Sequence, residues 1–130
     1  MFNLKRLFLL KIILLLSLIT AKAQSSDCLR FRIGKFKMIY QGKSLIINRD
    51  ANHQYEYYDD NKLPIEYKIK WISNCSYTLQ PDKTILRFSN ISKSALITVK
   101  IISYSGNTYK IKATSNFNKQ VLESEITKIN

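Results

Sequence analysis

Apolar and polar residues alternate along much of the chain. From Ile65 to Trp71 every second residue is apolar or aromatic, and the residues between them are charged. The same period of two runs through 95–101 and through 108–113. Such a period is typical of β-strands that bury one face and hydrate the other. The three segments therefore predict a sheet with one wet face.

Weaker segments of the same kind predict further strands, at 45–49, 53–58, 77–79, 84–88 and 121–129. Turn-forming residues separate them, at 41–42, 59–61, 81–82, 105–107 and 116–118. Between residues 31 and 40 the alternation changes face, because Phe31 and Ile33 have one parity whereas Phe36 and Met38 have the other. Gly34 lies at this change, so we expect a bulge or a sharp bend there.

No segment has a clear helical stripe. Residues 119–128 come closest, but Thr127 and Ile129 favour a closing strand. About eight short antiparallel strands with tight turns predict an all-β domain, a small up-and-down meander. Because closure removes exposed strand edges, we expect a closed or partly closed, lipocalin-like barrel. An open β-sandwich is the alternative, and the pattern does not separate the two.

The first 23 residues have the pattern of a secretory signal peptide. Lys5 and Arg6 precede an apolar run over 7–20, and Ala21-Lys22-Ala23 has the small-x-small form of a cleavage site. The run is shorter than the ~20 apolar residues that span a bilayer. We therefore expect cleavage near Ala23, which leaves 24–130 as a single β-domain that is periplasmic or secreted.

Cleavage of this leader would change the net charge of the protein, and export would place its two cysteines in an oxidising compartment. The chain has 21 basic and 9 acidic residues, a net charge of +12, and loss of four basic leader residues lowers it to +8.

Cys28 and Cys75 predict one disulfide in an oxidising compartment. It would close a loop of about 48 residues, worth roughly 4 kcal/mol in the chain-entropy model. Since there is no C-x-x-C and His53 is the only histidine, we expect no metal site and no cofactor.

Arg49 shares the parity of Leu45 and Ile47, which places it on the inner face of the predicted sheet. A buried arginine is costly unless it is paired, and Glu56 is the expected partner, with Gln54 as a hydrogen-bonding neighbour. This arrangement fits a structural pair, a strand-end arginine that reaches solvent, or a guanidinium that anchors an anionic ligand. The candidate ligand-binding residues are Arg49, Gln54, Glu56, Tyr67 and Trp71.

Aromatic residues suggest what a barrel interior would contain. A small barrel can hold an apolar, amphipathic or anionic small molecule, or its aromatic residues can simply form the packed core. The aromatic residues considered as cavity lining are Tyr55, Tyr57, Tyr67, Trp71 and Tyr109.

Outward lysines suggest a second kind of partner. Five of them could form a basic stripe for an envelope polyanion such as lipopolysaccharide or an acidic polysaccharide, whereas nucleic acid is not expected outside the cytoplasm. The alternative is that they keep the sheet soluble and protect its edges. These residues are Lys68, Lys70, Lys100, Lys110 and Lys112.

Enzyme motifs are missing from the sequence. It has no G-x-S-x-G turn, no H-E-x-x-H helix and no metal-spaced cluster. Glu56, Asp59 and Asp60 form the densest acidic group, which is typical of a strand end that runs into a turn. We therefore predict a non-enzymatic binding or structural component of the cell envelope, with a small hydrolase as a less favoured alternative.

A spaced pattern covers most of the chain after the leader. Its elements are Cys28, Gly34-Lys35-Phe36, Arg49 with Gln54 and Glu56, and Trp71 with Cys75, Tyr77 and Leu79. In these elements the chain resembles a group of small exported bacterial proteins of uncharacterised function, some of which carry a type II topoisomerase name. The resemblance implies export and a β fold, but no known chemistry. Because the chain lacks a Gly-rich ATP loop, we regard that name as mistransferred.

Overall fold

Eight antiparallel strands close into a barrel in a computed structural model, which describes residues 27–58, 63–82 and 92–130. The strands are β1 (Gly34–Tyr40), β2 (Lys43–Arg49), β3 (His53–Tyr58), β4 (Ile65–Ser73), β5 (Ser76–Pro81), β6 (Ile97–Ser105), β7 (Thr108–Ser115) and β8 (Leu122–Lys128). Each strand pairs with the next one along the chain, and β8 pairs with β1. The predicted all-β barrel is confirmed, and the open sandwich is wrong.

Two β-bulges extend strands beyond the segments that alternation predicted. One lies between Trp71 and Ser73 in β4, and the other lies between Ile101 and Ser103 in β6. The extra residue in β6 changes the parity, so that Tyr104 lies opposite Tyr109 and packs against the core. The predicted strand at 84–88, the turn at 59–61 and the leader at 1–23 lie outside the described residues.

The chain enters the barrel through a short 3-10 helix, η1 (Asp27–Phe31), and not through a strand. The strand character suggested for Phe31 and Ile33 is therefore wrong. Side chains three residues apart lie on the same side of a 3-10 helix. Cys28 and Phe31 are both buried for this reason, while Ile33 is 57 % exposed.

Gly34 forms the bend between η1 and β1. Its φ is +140°, a conformation that residues with a Cβ rarely adopt, and a Cβ at this position would lie 2.6 Å from the Asn130 carbonyl oxygen. The close approach places the start of β1 beside the residues that follow β8. The Lys35 amide donates to the Asn130 carbonyl, and the Ile129 amide donates to the Lys35 carbonyl. Gly34 thus helps β1 and β8 to close the barrel.

We expect Gly34→Ala to lower the free energy of unfolding by about 2–3 kcal/mol, because backbone strain and the contact with Asn130 add together. Gly42→Ala is a matched control, since Gly42 also has a positive φ but has open space where its Cβ would lie. That variant should lose only about 1 kcal/mol. Urea denaturation measures both, and equal losses would contradict a role for the close approach.

The inner face of the barrel holds the core, and η1 covers one end of it. We call this end, which also carries the β2–β3, β4–β5 and β6–β7 turns, the closed end. Phe31 is fully buried there, with its ring centre 4.5 Å from that of Tyr109. The predicted Cys28–Cys75 disulfide is confirmed, with a Cα separation of 5.3 Å. It ties η1 to the β4–β5 turn.

Candidate functional site

Among the described residues, Arg49 is the buried cation of the barrel. It lies at the last position of β2, at the closed end, and is 4 % exposed. Its Nε and Nη2 atoms donate to Gln54 Oε1 at 3.0 and 2.7 Å. Nη1 donates to the Phe31 carbonyl at 2.7 Å and to the Tyr109 hydroxyl at 3.3 Å, and Nη2 also donates to the Tyr77 hydroxyl at 3.1 Å.

These contacts match the hydrogen-bonding capacity of the side chain. A guanidinium has five N–H donors, and the five contacts of Arg49 use all of them. Burial lowers the pKa of Arg49, but the hydroxyls of Tyr77 and Tyr109 outweigh it, and the pKa is raised above its usual value. Arg49 therefore stays charged and has no donor left for an anionic ligand, so the geometry favours the structural role.

The strand register determines which residue faces Arg49. Gln54 lies directly opposite Arg49 in the β2–β3 ladder, whereas Glu56 lies opposite Ile47. The prediction that Glu56 pairs directly with Arg49 is therefore wrong, because Gln54 lies between them. Gln54 Nε2 donates to Glu56 Oε1 at 2.9 Å, and the Tyr58 hydroxyl donates to Glu56 Oε2 at 3.0 Å. We call Arg49, Gln54, Glu56 and Tyr58 the interior polar chain.

A cavity of about 200 Å³ occupies the barrel on the side away from η1. Its wall is mainly apolar and is formed by inward residues of β1 to β8. Two members of the interior polar chain, Gln54 and Glu56, lie in this wall. Four tyrosines also line the cavity: Tyr40, Tyr58, Tyr67 and Tyr77.

Glu56 is the acidic side chain among the described residues of the cavity wall, and it is 8 % exposed. Burial raises its pKa above the usual value, although hydrogen bonds from Tyr58 and Gln54 and the charge of Arg49 oppose this effect. Burial and the nearby Glu56 also raise the pKa values of Tyr58 and Tyr67. Both hydroxyls therefore remain protonated at neutral pH and can donate hydrogen bonds.

A second depression, of about 510 Å³, adjoins the cavity beside the β7–β8 connection. The two share Tyr40, Ile97, Ala113 and Leu122 as lining residues. Phe117, in the β7–β8 connection, also lines the depression and is 49 % exposed. We call this end of the barrel, opposite to η1, the cavity end.

The structure divides the candidate ligand-binding residues between two places. Gln54, Glu56 and Tyr67 line the cavity. Arg49 and Trp71 lie at the closed end, where the Trp71 and Tyr77 ring centres are 4.6 Å apart. The guanidinium of Arg32 stacks on the Trp71 ring at 4.9 Å. The predicted site is therefore split, and only its polar residues from β3 and its tyrosine from β4 reach the cavity.

The predicted aromatic lining needs a correction. Tyr55 and Tyr57 lie on the outer face, because Gln54 and Glu56 take the inward parity of β3. Tyr109 is inward but lies against Phe31 at the closed end. Sequence reasoning missed three tyrosines of the cavity: Tyr40, Tyr58 and Tyr77. Parity alone would have indicated the first two, since Tyr40 follows Phe36 and Met38, and Tyr58 follows Gln54 and Glu56.

The five candidate polyanion-binding lysines are exposed on the outer face: Lys68 and Lys70 on β4, Lys100 on β6, and Lys110 and Lys112 on β7. Acidic residues of β8 border the group. Lys110 Nζ is 3.8 Å from Glu125 Oε1, and Lys112 lies opposite Glu123 in the β7–β8 ladder. The basic surface is therefore interrupted on the β8 side.

Within the described ranges, no group of three or more His, Cys, Asp and Glu side chains is placed to hold a metal ion. No helix of those same residues is long and apolar enough to cross a membrane.

Comparisons with protein-family models, with curated proteins and with solved structures found no match to this chain.

Proposed function

We propose that the protein is an exported binding module that holds a small, largely apolar molecule inside its barrel. The observation that carries the proposal is the cavity of about 200 Å³ with its apolar wall and its few polar groups. Ligand sites of proteins have this composition, in which apolar surface supplies affinity and a few polar groups fix the orientation. The signal-peptide pattern and the Cys28–Cys75 disulfide support export.

The volume limits what the cavity can hold. Sites for drug-sized ligands have volumes of roughly 300–1,000 Å³, so this cavity takes a smaller molecule or one end of a longer one. The adjoining depression of about 510 Å³ at the cavity end would accommodate the remainder of a longer ligand. At the other end, η1 and the residues bound to Arg49 fill the barrel. We therefore expect ligands to enter at the cavity end.

The two alternative functions have less support. A polyanion-binding surface needs uncompensated positive charge, but Lys110 and Lys112 lie beside acidic residues of β8. Hydrolysis by paired carboxylates needs a second acid close to the first. Among the described residues that line the cavity, Glu56 is the one acid, so this part of the wall favours binding over that chemistry.

A neutral fluorescent probe, N-phenyl-1-naphthylamine, tests the proposal. We expect its fluorescence to rise when it enters the cavity, with a dissociation constant on the order of 10 µM. Ala113→Leu replaces a methyl group of the cavity wall by an isobutyl group and should weaken this binding about tenfold or more. Titration of the probe into each folded variant measures the change.

Lys112→Leu is the matched control, because it adds the same side chain to the neighbouring, outward position of β7. It should leave the affinity for the probe unchanged. If both variants bind the probe as the wild type does, the probe lies on the surface and the cavity is not the site. No binding of the probe to the wild type would also count against the proposal.

A further inference from the structure

We propose that the ligand of the cavity is a small organic amine whose ammonium group binds the carboxylate of Glu56. This inference rests on the proposed function, because it concerns the same cavity. It adds the chemical class of the ligand and the residue that selects it. Three features of the interior support it. Glu56 has free acceptor capacity, the donors of Arg49 are all used at the closed end, and tyrosines line the same cavity as the carboxylate.

Glu56 can accept more hydrogen bonds than it receives in the structure. Gln54 donates to one of its oxygens and Tyr58 donates to the other. A carboxylate has about four lone-pair sites, so each oxygen can accept a further donor. Glu56 is more than nine-tenths buried, and the cavity is the space that it lines. A ligand in the cavity is therefore well placed to supply those donors.

The guanidinium of Arg49 does not itself line the cavity, although its charge acts on Glu56. All five of its N–H groups are used at the closed end, and Arg49 is not part of the cavity wall. The side chain of Gln54 separates Arg49 from Glu56, because its Oε1 atom accepts from Arg49 and its Nε2 atom donates to Glu56. Among the described residues, the cavity wall contains the carboxyl group of Glu56 and no Lys, Arg or His side chain, which favours a cationic ligand over an anionic one.

Aromatic rings complete the surroundings of a cation site. Tyr40, Tyr58 and Tyr67 line the same cavity as Glu56. Tyrosine rings attract ammonium groups through the negative electrostatic potential of their faces, and the attraction is strongest where water is excluded. Burial also penalises the ionised form of Glu56, which raises the pKa of the carboxyl. A bound ammonium group would offset that penalty, because it pairs with the carboxylate inside the barrel.

Three probes of similar shape and different charge test the amine proposal: 2-phenylethylamine, 2-phenylethanol and phenylacetate. Competition with N-phenyl-1-naphthylamine at neutral pH gives the affinity of each. We expect the wild type to bind the amine about tenfold more tightly than the alcohol, because charge-assisted hydrogen bonds are stronger than neutral ones. Phenylacetate should bind most weakly. An amine that binds no better than the alcohol would overturn the proposal, whether or not any variant folds.

Glu56→Gln assigns the preference to this residue. The substitution removes the charge and nearly preserves the shape, so the amine should lose its advantage while the alcohol keeps its affinity. Glu125→Gln, on the outer face of β8, changes the net charge by the same amount and should leave the order of the three probes unchanged. A Glu56→Gln variant that folds and still prefers the amine would overturn the role of Glu56.

The two proposals fail in different ways. If the naphthylamine probe and the alcohol enter the cavity without a preference for the amine, the binding function stands and only the ligand class is wrong. If neither the naphthylamine probe nor any of the three small probes binds, both proposals are wrong.

Discussion

Arg49→Met is expected to lower the free energy of unfolding by about 3–5 kcal/mol, a large part of the stability of a small domain. Methionine fills much of the same space but donates no hydrogen bond. The Phe31 carbonyl, the Gln54 side-chain oxygen and the hydroxyls of Tyr77 and Tyr109 would all lose their donor in a buried site. Buried polar groups without partners carry the cost of desolvation without compensation.

Equilibrium unfolding in guanidinium chloride measures the effect, and Arg30→Met is the matched control. Arg30 also lies at the closed end, where its guanidinium stacks on the Phe31 ring at 4.6 Å, but it is exposed. Its loss removes the same charge and should cost about 1 kcal/mol or less. Arg49→Lys should fall between the two, because an ammonium group has three donors and no planar fork.

A loss of 1 kcal/mol or less for Arg49→Met would contradict the structural role of Arg49. The affinity for N-phenyl-1-naphthylamine provides a second check. Since Arg49 lies outside the cavity wall, folded Arg49→Lys protein should bind the probe as the wild type does. If the variant lost its affinity for the probe with little loss of unfolding free energy, Arg49 would instead belong to the ligand-binding site.

The alternation of apolar and polar residues predicted most of the barrel, because a strand that buries one face has apolar residues at every second position. In β7, Tyr109, Ile111 and Ala113 are buried and the residues between them are exposed, as the pattern indicated. The inward position of Arg49 followed from the same parity. Parity gives the face of a residue, however, and not its partner across the ladder. The partner depends on register, which is why Gln54, and not Glu56, lies against Arg49.

Local irregularities account for the other differences between sequence and structure. The 3-10 helix η1 has only five residues, too few for a period of three to stand out against the strands that follow. The bulges at Ile72 and Ile102 put an extra apolar residue on the outer face, where both side chains are more than 45 % exposed. A simple alternation therefore ends at each bulge although the strand continues.

The cavity was the least predictable part of the site. Its existence depends on how completely inward side chains of all eight strands fill the barrel, and this is a property of packing that no single segment encodes. Tyr55 and Tyr57 illustrate the difficulty. Their aromatic character suggested a lining role, but their parity places them outside, and the polar Gln54 and Glu56 take the inward positions.

Removal of the Cys28–Cys75 disulfide is expected to cost roughly 4 kcal/mol of unfolding free energy. The two cysteines are 47 positions apart, so the bridge limits the freedom of a long segment of the unfolded chain. In the folded state it fixes η1 against the β4–β5 turn. Cys28→Ala/Cys75→Ala should therefore unfold at a much lower concentration of guanidinium chloride than the oxidised wild type.

A reducing agent provides the internal control. Reduction should lower the stability of the wild type to nearly that of the double-alanine variant, and it should leave the variant itself unchanged. A wild-type loss of less than 1 kcal/mol on reduction would contradict the expected contribution of the bridge. A change in the variant would show that the reducing agent acts on something other than this disulfide.

The position of the bridge also predicts what its removal leaves intact. Reduction should first loosen η1, so the Arg32 amide, which donates to the Leu29 carbonyl, should exchange its hydrogen faster than the amides of β7. The cavity wall contains no residue of η1, so reduced protein that remains folded should bind N-phenyl-1-naphthylamine within about threefold of the oxidised affinity. A larger loss of affinity would mean that the closed end and the cavity end of the barrel are coupled. The interior polar chain is the route for such coupling, because Arg49 holds the Phe31 carbonyl of η1 and, through Gln54, the Glu56 carboxylate of the cavity.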